Sequence, residues 1–155
     1  MDERRPVRFR ELLRALVDGG VRFIVVGGVA AVLAGTNTFG QADWTTALTA
    51  AQALSNGACS LSDGSVAGDW RLPSVNELQS LIDHEYYIPA LSNAAGTAQW
   101  SEGDVFAGVR SNIYWSSTSN ALYPSEPWAV TLGFGNVGSL GKTDTSYVWP
   151  VRGGQ

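Results

Sequence analysis

The sequence has little of the chemistry that most enzymes and metal-binding proteins use. Its 155 residues include one cysteine, one histidine and one methionine, and only 15% are charged. The thiol of Cys59 cannot form an internal disulfide, and structural zinc sites need several ligands. His84 is not accompanied by a G-x-S-x-G motif. We therefore expect no catalytic residue, no metal and no cofactor, with Cys59 as an unpaired, partly buried thiol and His84 just beyond a helix end.

Positive charge is scarce after the first residues, which bears on the class of partner. Residues 1–22 hold six arginines and four acids, whereas residues 23–155 hold four basic and ten acidic residues. A net charge of −4 argues against nucleic acid as a partner. The apolar run 23–33 is too short to span a bilayer and begins too late for a secretory signal. We expect no membrane span and no signal peptide, with the cytoplasm as the default location.

Glycine, tryptophan and tyrosine are abundant, with 18, six and five copies respectively. This composition indicates a loop-rich domain with an aromatic core. Ser74 and Glu77 form an S-x-x-E capping box, which predicts a helix over residues 75–83. A second helix is predicted over residues 42–55, where Trp44, Ala47, Leu48, Ala51 and Leu54 recur on one face.

The remaining elements are read from hydrophobic periodicity and breakers. We predict a helix over residues 7–18, a strand over 21–26, the start of a short helix at 29–33 and a long loop over 84–112. Four short strands are predicted near residues 113–117, 128–132, 134–137 and 147–152.

Four ordered blocks carry a family resemblance: Phe39-Gly40 with Trp44 to Leu48, Asp69-Trp70-Arg71-Leu72-Pro73, Tyr114-Trp115-Ser116-Ser117-Thr118, and Tyr147 to Gly154. Over residues 37–155 they resemble the Lcl-type C-terminal domain of collagen-like adhesins. The resemblance implies an α+β, C-type-lectin-like fold with two helices and a small mixed or antiparallel sheet. It also implies recognition rather than catalysis, in relatives that are typically exported or displayed at the cell surface.

Residues 1–36 are interpreted as a separate helix–strand segment. They resemble the opening of a small nucleotidyltransferase, with Gly27-Gly28 after the strand, but no Asp-x-Asp follows to hold magnesium. We read this segment as truncated and inactive. Lcl-type relatives begin with a strand that closes the sheet, which this reading leaves missing. We therefore hypothesise that residues 21–26 take its place and pair with residues 147–151.

Tryptophans and arginines of the matched blocks are expected to be structural. Trp70, Trp115, Trp128 and Trp149 should pack in the core. Arg71 and Arg152 should satisfy internal carboxylates or carbonyls. Glu126-Pro127-Trp128 departs from the Glu-Pro-Asn tripeptide of calcium-dependent lectins, so calcium binding through that site is not supported. The acids of the loop with Glu102 and Asp104 are read as solvated charge.

Residues 119–146 differ in composition from the matched blocks, because they mix Asn, Ser, Asp, Tyr and bulky apolar residues. Such mixtures suit adaptable recognition surfaces. We predict a non-enzymatic domain that binds a protein or glycan through this region; the alternatives are a variable target protein of a diversity-generating retroelement, an inactive nucleotidyltransferase-like remnant, and a non-functional fusion. The predicted ligand-binding residues are Asn120, Tyr123, Thr131, Phe134, Asn136, Leu140, Asp144 and Ser146.

Overall fold

In the part of the chain that the structure describes, two α-helices combine with two small sheets. The computed structural model describes the backbone of residues 23–26 and 29–33, and residues 39–61, 63–93, 95–102, 106 and 108–153. The predicted helix over residues 7–18 lies outside this part of the chain. The elements are β1 (Phe23–Val26), β2 (Val29–Leu33), β3 (Gln41–Ala42), α1 (Trp44–Ala53), a 3-10 turn (Ala58–Ser60), β4 (Trp70–Arg71), α2 (Val75–Gln79), β5 (Ile113–Trp115), β6 (Trp128–Thr131), β7 (Asn136–Ser139), β8 (Ser146–Tyr147) and β9 (Val151–Arg152).

Most strand pairs are antiparallel. The order of the larger sheet is β3-β8-β5-β6-β7, and its one parallel pair is β5 with β8. The order of the smaller sheet is β1-β2-β9-β4, with every pair antiparallel. The described part of the chain is thus α+β, with two α-helices and a mixed sheet, as predicted; its C-type-lectin-like character stays a prediction.

The smaller sheet corrects two expectations about the N-terminal residues. Val29–Leu33 is a strand, not the start of a helix, and its last residues pair with Val151–Arg152. The strand that closes the sheet against the chain's end is therefore present. Phe23–Val26 pairs with β2 instead, with Val26 opposite Val29. A short apolar run fits a strand and a helix equally well, and here a glycine pair at the two intervening positions suits a hairpin.

Helix α1 is fixed at its start by Asp43. The Asp43 carboxylate accepts hydrogen bonds from the backbone N–H of Thr46 at 3.0 Å and from its hydroxyl at 2.6 Å. The side-chain bond from Thr46, aided by the backbone bond, lowers the pKa of Asp43. Ala47 and Ala51 are completely buried against one face of the larger sheet, together with Trp115, Ala129 and Val148. The predicted apolar face of this helix is confirmed, over a shorter span.

Helix α2 covers the opposite face of the sheet. Its capping box is complete, because the Ser74 hydroxyl accepts from the Glu77 N–H and the Glu77 carboxylate accepts from the Ser74 N–H. Leu78 packs in a cluster with Tyr114, Val130, Leu132 and Trp149. The helix ends at Gln79 and not at residue 83, because the chain leaves it to form a β-bridge between Ile82 and Leu91.

The structural roles predicted for the arginines and most tryptophans are confirmed. The Arg71 guanidinium contacts both carboxylate oxygens of Glu77 and donates to the carbonyl of Gly153. Arg152 pairs with Asp63 and Asp69. Trp70, Trp115 and Trp149 are buried, and Trp128 is half-buried.

Three smaller expectations need correction. Cys59 is exposed, not partly buried, in a left-handed backbone conformation with φ of +54°. The strand predicted over residues 134–137 begins at Asn136, because residues 132–135 form a hairpin loop. The strand predicted over residues 147–152 is divided into β8 and β9, and the chain crosses between the two sheets there.

Candidate recognition surface

Two exposed aromatic rings stand together at one end of the larger sheet. Tyr87, 66% exposed, and Phe134, 47% exposed, have ring centroids 5.3 Å apart. Ile88 beside Tyr87 is 52% exposed. We call Tyr87, Ile88 and Phe134 the aromatic patch. Large apolar side chains left in water and held together at a surface are a common sign of a binding site.

The backbone under the aromatic patch is fixed by hydrogen bonds. The N–H of Ile88 donates to the carbonyl of Gly133 at 2.9 Å, and Gln99 Nε2 donates to the carbonyls of Tyr87 and Pro89. Ile88 has φ of +51°, which is unfavourable for a β-branched residue. Such conformations persist only where the surroundings enforce them, and they concentrate at functional sites. The backbone that carries the patch is therefore fixed by the neighbouring segments.

Phe134 is carried by a four-residue hairpin loop between β6 and β7. The loop closes through a 2.8 Å bond from the Gly135 N–H to the carbonyl of Thr131. Gly135 has φ of +74°, and a Cβ there would lie 2.6 Å from Ile82 Cγ2 and 2.8 Å from His84 Cε1. The hairpin tip thus packs directly on the segment that leads to Tyr87, and only glycine allows this approach.

Gly135→Ala should destabilise the protein by about 2 kcal/mol, because it combines a left-handed backbone with steric overlap. The measurement is urea unfolding followed by circular dichroism. The matched control is Gly138→Ala on the same hairpin, where an added Cβ meets nothing within 4 Å. That variant should unfold like the wild type, and equal unfolding midpoints for the two variants would contradict the assigned contact.

A second exposed loop lies before β6. Leu122 is 83% exposed and Tyr123 59%. The buried Asn120 side chain accepts from the N–H groups of both residues, at 3.0 and 3.3 Å. The loop lies beside residues 140–145, because the Lys142 N–H donates to the carbonyl of Ser125. This loop adjoins the start of β6, whereas the aromatic patch adjoins its end.

The eight predicted ligand-binding residues do not form one outward face. Phe134 belongs to the aromatic patch, and Asn136 is exposed two residues after it. Tyr123 and Asp144 are exposed on two neighbouring loops at the other end of β6. Thr131 and Leu140 are half-buried. Asn120 and Ser146 are buried, so their side chains support the surface and do not belong to it. A ligand-binding role for any of the eight stays a prediction.

Tyr87 and Ile88 were not among the predicted residues, although they provide much of the patch. They belong to the long loop 84–112, which has no periodicity to orient its side chains. The sequence feature that could have identified them is the apolar run Tyr86-Tyr87-Ile88-Pro89 within a predicted loop. Its closeness to Phe134 depends on hydrogen bonds to the hairpin tip, which no local sequence pattern encodes.

Two acidic residues and one basic residue lie in the segments that contact the hairpin loop of Phe134, namely Asp83, Glu85 and Arg110. Asp83 and Glu85 lie in the segment before Tyr87, and the Asp83 carboxylate accepts from the Glu85 N–H at 3.1 Å. Glu126 accepts from the Ser139 hydroxyl at 2.9 Å at the far end of β7. Among the described residues, no three His, Cys, Asp or Glu side chains form a group suited to a metal ion. Over the same residues, neither helix is long and apolar enough to cross a bilayer.

The family of the chain follows from a comparison with family models. Residues 29–152 match the Lcl C-terminal domain. The chain belongs to this family. The match begins with the first residue of β2, so this Lcl C-terminal domain includes the strand that pairs with β9. No curated protein matches the chain.

Proposed function

We propose that this Lcl C-terminal domain is a non-enzymatic recognition module that binds a protein or an uncharged glycan through the aromatic patch. The observation that carries the proposal is the Tyr87–Phe134 pair, exposed yet fixed by the backbone beneath it. Rigid aromatic rings lose little conformational entropy when they bind, and they stack equally well on apolar side chains and on the faces of sugar rings.

The charge pattern narrows the class of ligand. Asp83 and Glu85 precede Tyr87, and two of the four basic residues after position 22, Arg71 and Arg152, are engaged in internal ion pairs. A sulfated polysaccharide needs lysine and arginine to neutralise it. The segments beside the patch carry Asp83 and Glu85 against Arg110, and this balance supports an uncharged or a basic ligand rather than a polyanionic one.

The proposal is tested by presenting the full chain to an array of neutral and sulfated glycans and to a displayed library of random linear peptides. For ligands found in either screen, Tyr87→Ala or Phe134→Ala should weaken binding at least about tenfold, which corresponds to about 1.4 kcal/mol. Both variants should remain folded, because Tyr87 is 66% exposed and Phe134 is 47% exposed in a surface loop. Affinity is measured by biolayer interferometry on the purified variants.

Two control variants complete this test. Val66→Ala changes an exposed apolar residue in the loop before β4, which is a strand of the smaller sheet. This variant should leave the affinity unchanged. Tyr123→Ala probes the second exposed loop and should have little effect. If Tyr123→Ala abolishes binding while Phe134→Ala does not, the site lies at the other end of β6. If neither screen yields a ligand, the proposed function is wrong.

A further inference from the structure

Strand β7 is the last strand of the larger sheet in the described part of the chain. The Leu140 N–H donates to the carbonyl of Pro127, and the Gly135 N–H donates to that of Thr131. Hydrogen-bonded and non-hydrogen-bonded pairs alternate along an antiparallel ladder, so the opposed pair Val130 and Val137 does not exchange backbone bonds. The N–H and C=O groups of Val137 and Ser139 consequently point away from β6, along the outer edge.

This edge strand is short, with four residues, but it lacks charge, proline and a bulge, which commonly protect a sheet edge. Soluble proteins block exposed edges with lysine, proline, inward charges or a bulge. The β7 sequence is Asn-Val-Gly-Ser, without charge or proline, and its four residues pair with β6 without a bulge. Asn136, Val137 and Gly138 are all exposed, and a Cβ on Gly138 would meet nothing within 4 Å. The face of the sheet above Gly138 is therefore open, and the three exposed residues leave the backbone of β7 in contact with solvent.

We propose that the β7 edge binds an extended segment of a partner protein, which adds a strand to the sheet beside Val137. This inference rests on the proposed function and names its partner class as a peptide, not a glycan. The outward backbone groups of Val137 and Ser139 are the natural complement of an extended chain. An apolar side chain of that segment would rest on Phe134, two residues before β7, and on Tyr87 against it.

Charge complementarity indicates a basic segment. Ile82 and His84 contact Gly135 at the hairpin-tip end of β7, and the acidic residues Asp83 and Glu85 are their neighbours in the sequence. At the other end of β7, Glu126 accepts a hydrogen bond from Ser139. An added strand with lysine or arginine near both of its ends would meet carboxylates at each. A second copy of the chain fits less well. Antiparallel pairing of two β7 edges would bring the Glu126 end of one copy to the Asp83 end of the other, so acidic residues would meet acidic residues.

The test uses the full chain, a displayed library of random linear peptides and an array of neutral glycans. Enriched peptides should alternate apolar and polar residues and carry net positive charge. Val137→Pro removes an outward N–H that takes no part in the ladder, and proline is tolerated at such edge positions. It should reduce peptide affinity at least tenfold. Val137→Ala keeps the N–H and is the matched control, with a change below threefold.

A second arm does not depend on the folding of the proline variant. An enriched peptide is resynthesised with backbone N-methyl groups on either its odd or its even residues. Only one of the two series faces the β7 edge, so one methylated series should lose binding and the other should keep it. If binding is lost in neither methylated series, or in both, the proposal that the peptide adds a strand beside β7 is wrong.

The remaining outcomes separate this inference from the proposed function. Binding of neutral glycans without peptides, lost on Phe134→Ala and kept on Val137→Pro, would overturn the inference and leave the proposed function standing. A wild-type dimer in analytical ultracentrifugation that Val137→Pro dissociates, with no peptide bound, would assign the edge to a second copy and overturn it. Absence of any ligand would overturn both.

Discussion

Replacing Trp115 by alanine should lower the free energy of unfolding by about 3–5 kcal/mol, the range found when large buried aromatic residues are truncated. Trp115 lies in β5 and is completely buried between the sheet and α1. The helix faces it with the small residues Ala47 and Ala51, which are too short to fill the space that the indole leaves. Its Nε1 also donates to the carbonyl of Ala42 at 2.8 Å. Domains are typically stable by only about 5–15 kcal/mol, so this single substitution should remove a large part of the stability.

The measurement is urea unfolding followed by far-ultraviolet circular dichroism, because six tryptophans make fluorescence ambiguous. Trp115→Phe is the control that separates volume from hydrogen bonding. It retains most of the apolar contact and removes the indole N–H, so it should cost about 1–2 kcal/mol. A Trp115→Ala protein with the unfolding midpoint of the wild type would show that α1 does not pack on β5 as described.

The parts of the fold predicted correctly from the sequence are those fixed by neighbouring residues. Ser74 and Glu77 form the capping box through groups three residues apart, so the start of α2 was readable. The apolar spacing of α1 was readable for the same reason. The end of α2 was not, because Ile82 leaves the helix to bridge to Leu91, and that contact depends on the course of the following loop.

Longer-range pairing accounts for the errors near the N-terminus. A run such as Val29–Leu33 has no periodicity that distinguishes a strand from a helix. Its strand conformation is completed by pairing with Val151 and Arg152 at the other end of the chain. The four family blocks of the sequence include the strand at residues 151–152 but not its partner at residues 29–33. The sequence therefore predicts, wrongly, that the partner strand is missing.

The candidate site could be predicted only in part, because it too depends on contacts between residues that are distant in the sequence. Phe134 and Asn136 are predicted from the mixed residue types of residues 119–146, whereas period-two alternation would place them on the buried side with Val130 and Leu132. They are exposed because residues 132–135 form a hairpin loop that interrupts the alternation. Tyr87 lies far away in the sequence and reaches Phe134 because the Ile88 and Ala90 N–H groups bond to the hairpin loop. Asn120 was predicted from its residue type alone, and its amide is occupied in supporting the backbone of Leu122 and Tyr123.

Replacing Arg71 by methionine should cost about 2–3 kcal/mol at pH 7, because it leaves the largely buried Glu77 carboxylate without its cation. The guanidinium contacts the two carboxylate oxygens at 2.8 and 2.7 Å and also donates to the carbonyls of Leu72 and Gly153. These bonds join β4, the start of α2 and the residue after β9. Arg152→Met is the matched control: its contacts to Asp63 and Asp69 are longer, at 3.2 and 3.1 Å, and more exposed, so it should cost about 1 kcal/mol or less.

The pH dependence identifies the source of this loss. Burial acts to raise the pKa of Glu77, but hydrogen bonds from Arg71 and Ser74, together with the Arg71 charge, outweigh it and lower the pKa below the usual 4.5. A lowered folded pKa stabilises the protein above the unfolded value, and that stabilisation is lost as pH falls through the folded one. The stability difference between wild type and Arg71→Met should therefore narrow progressively as the pH falls below 4.5. A difference that stays constant from pH 7 to pH 2.5 would show that Arg71 stabilises the fold through packing of its aliphatic stem and not through the Glu77 carboxylate.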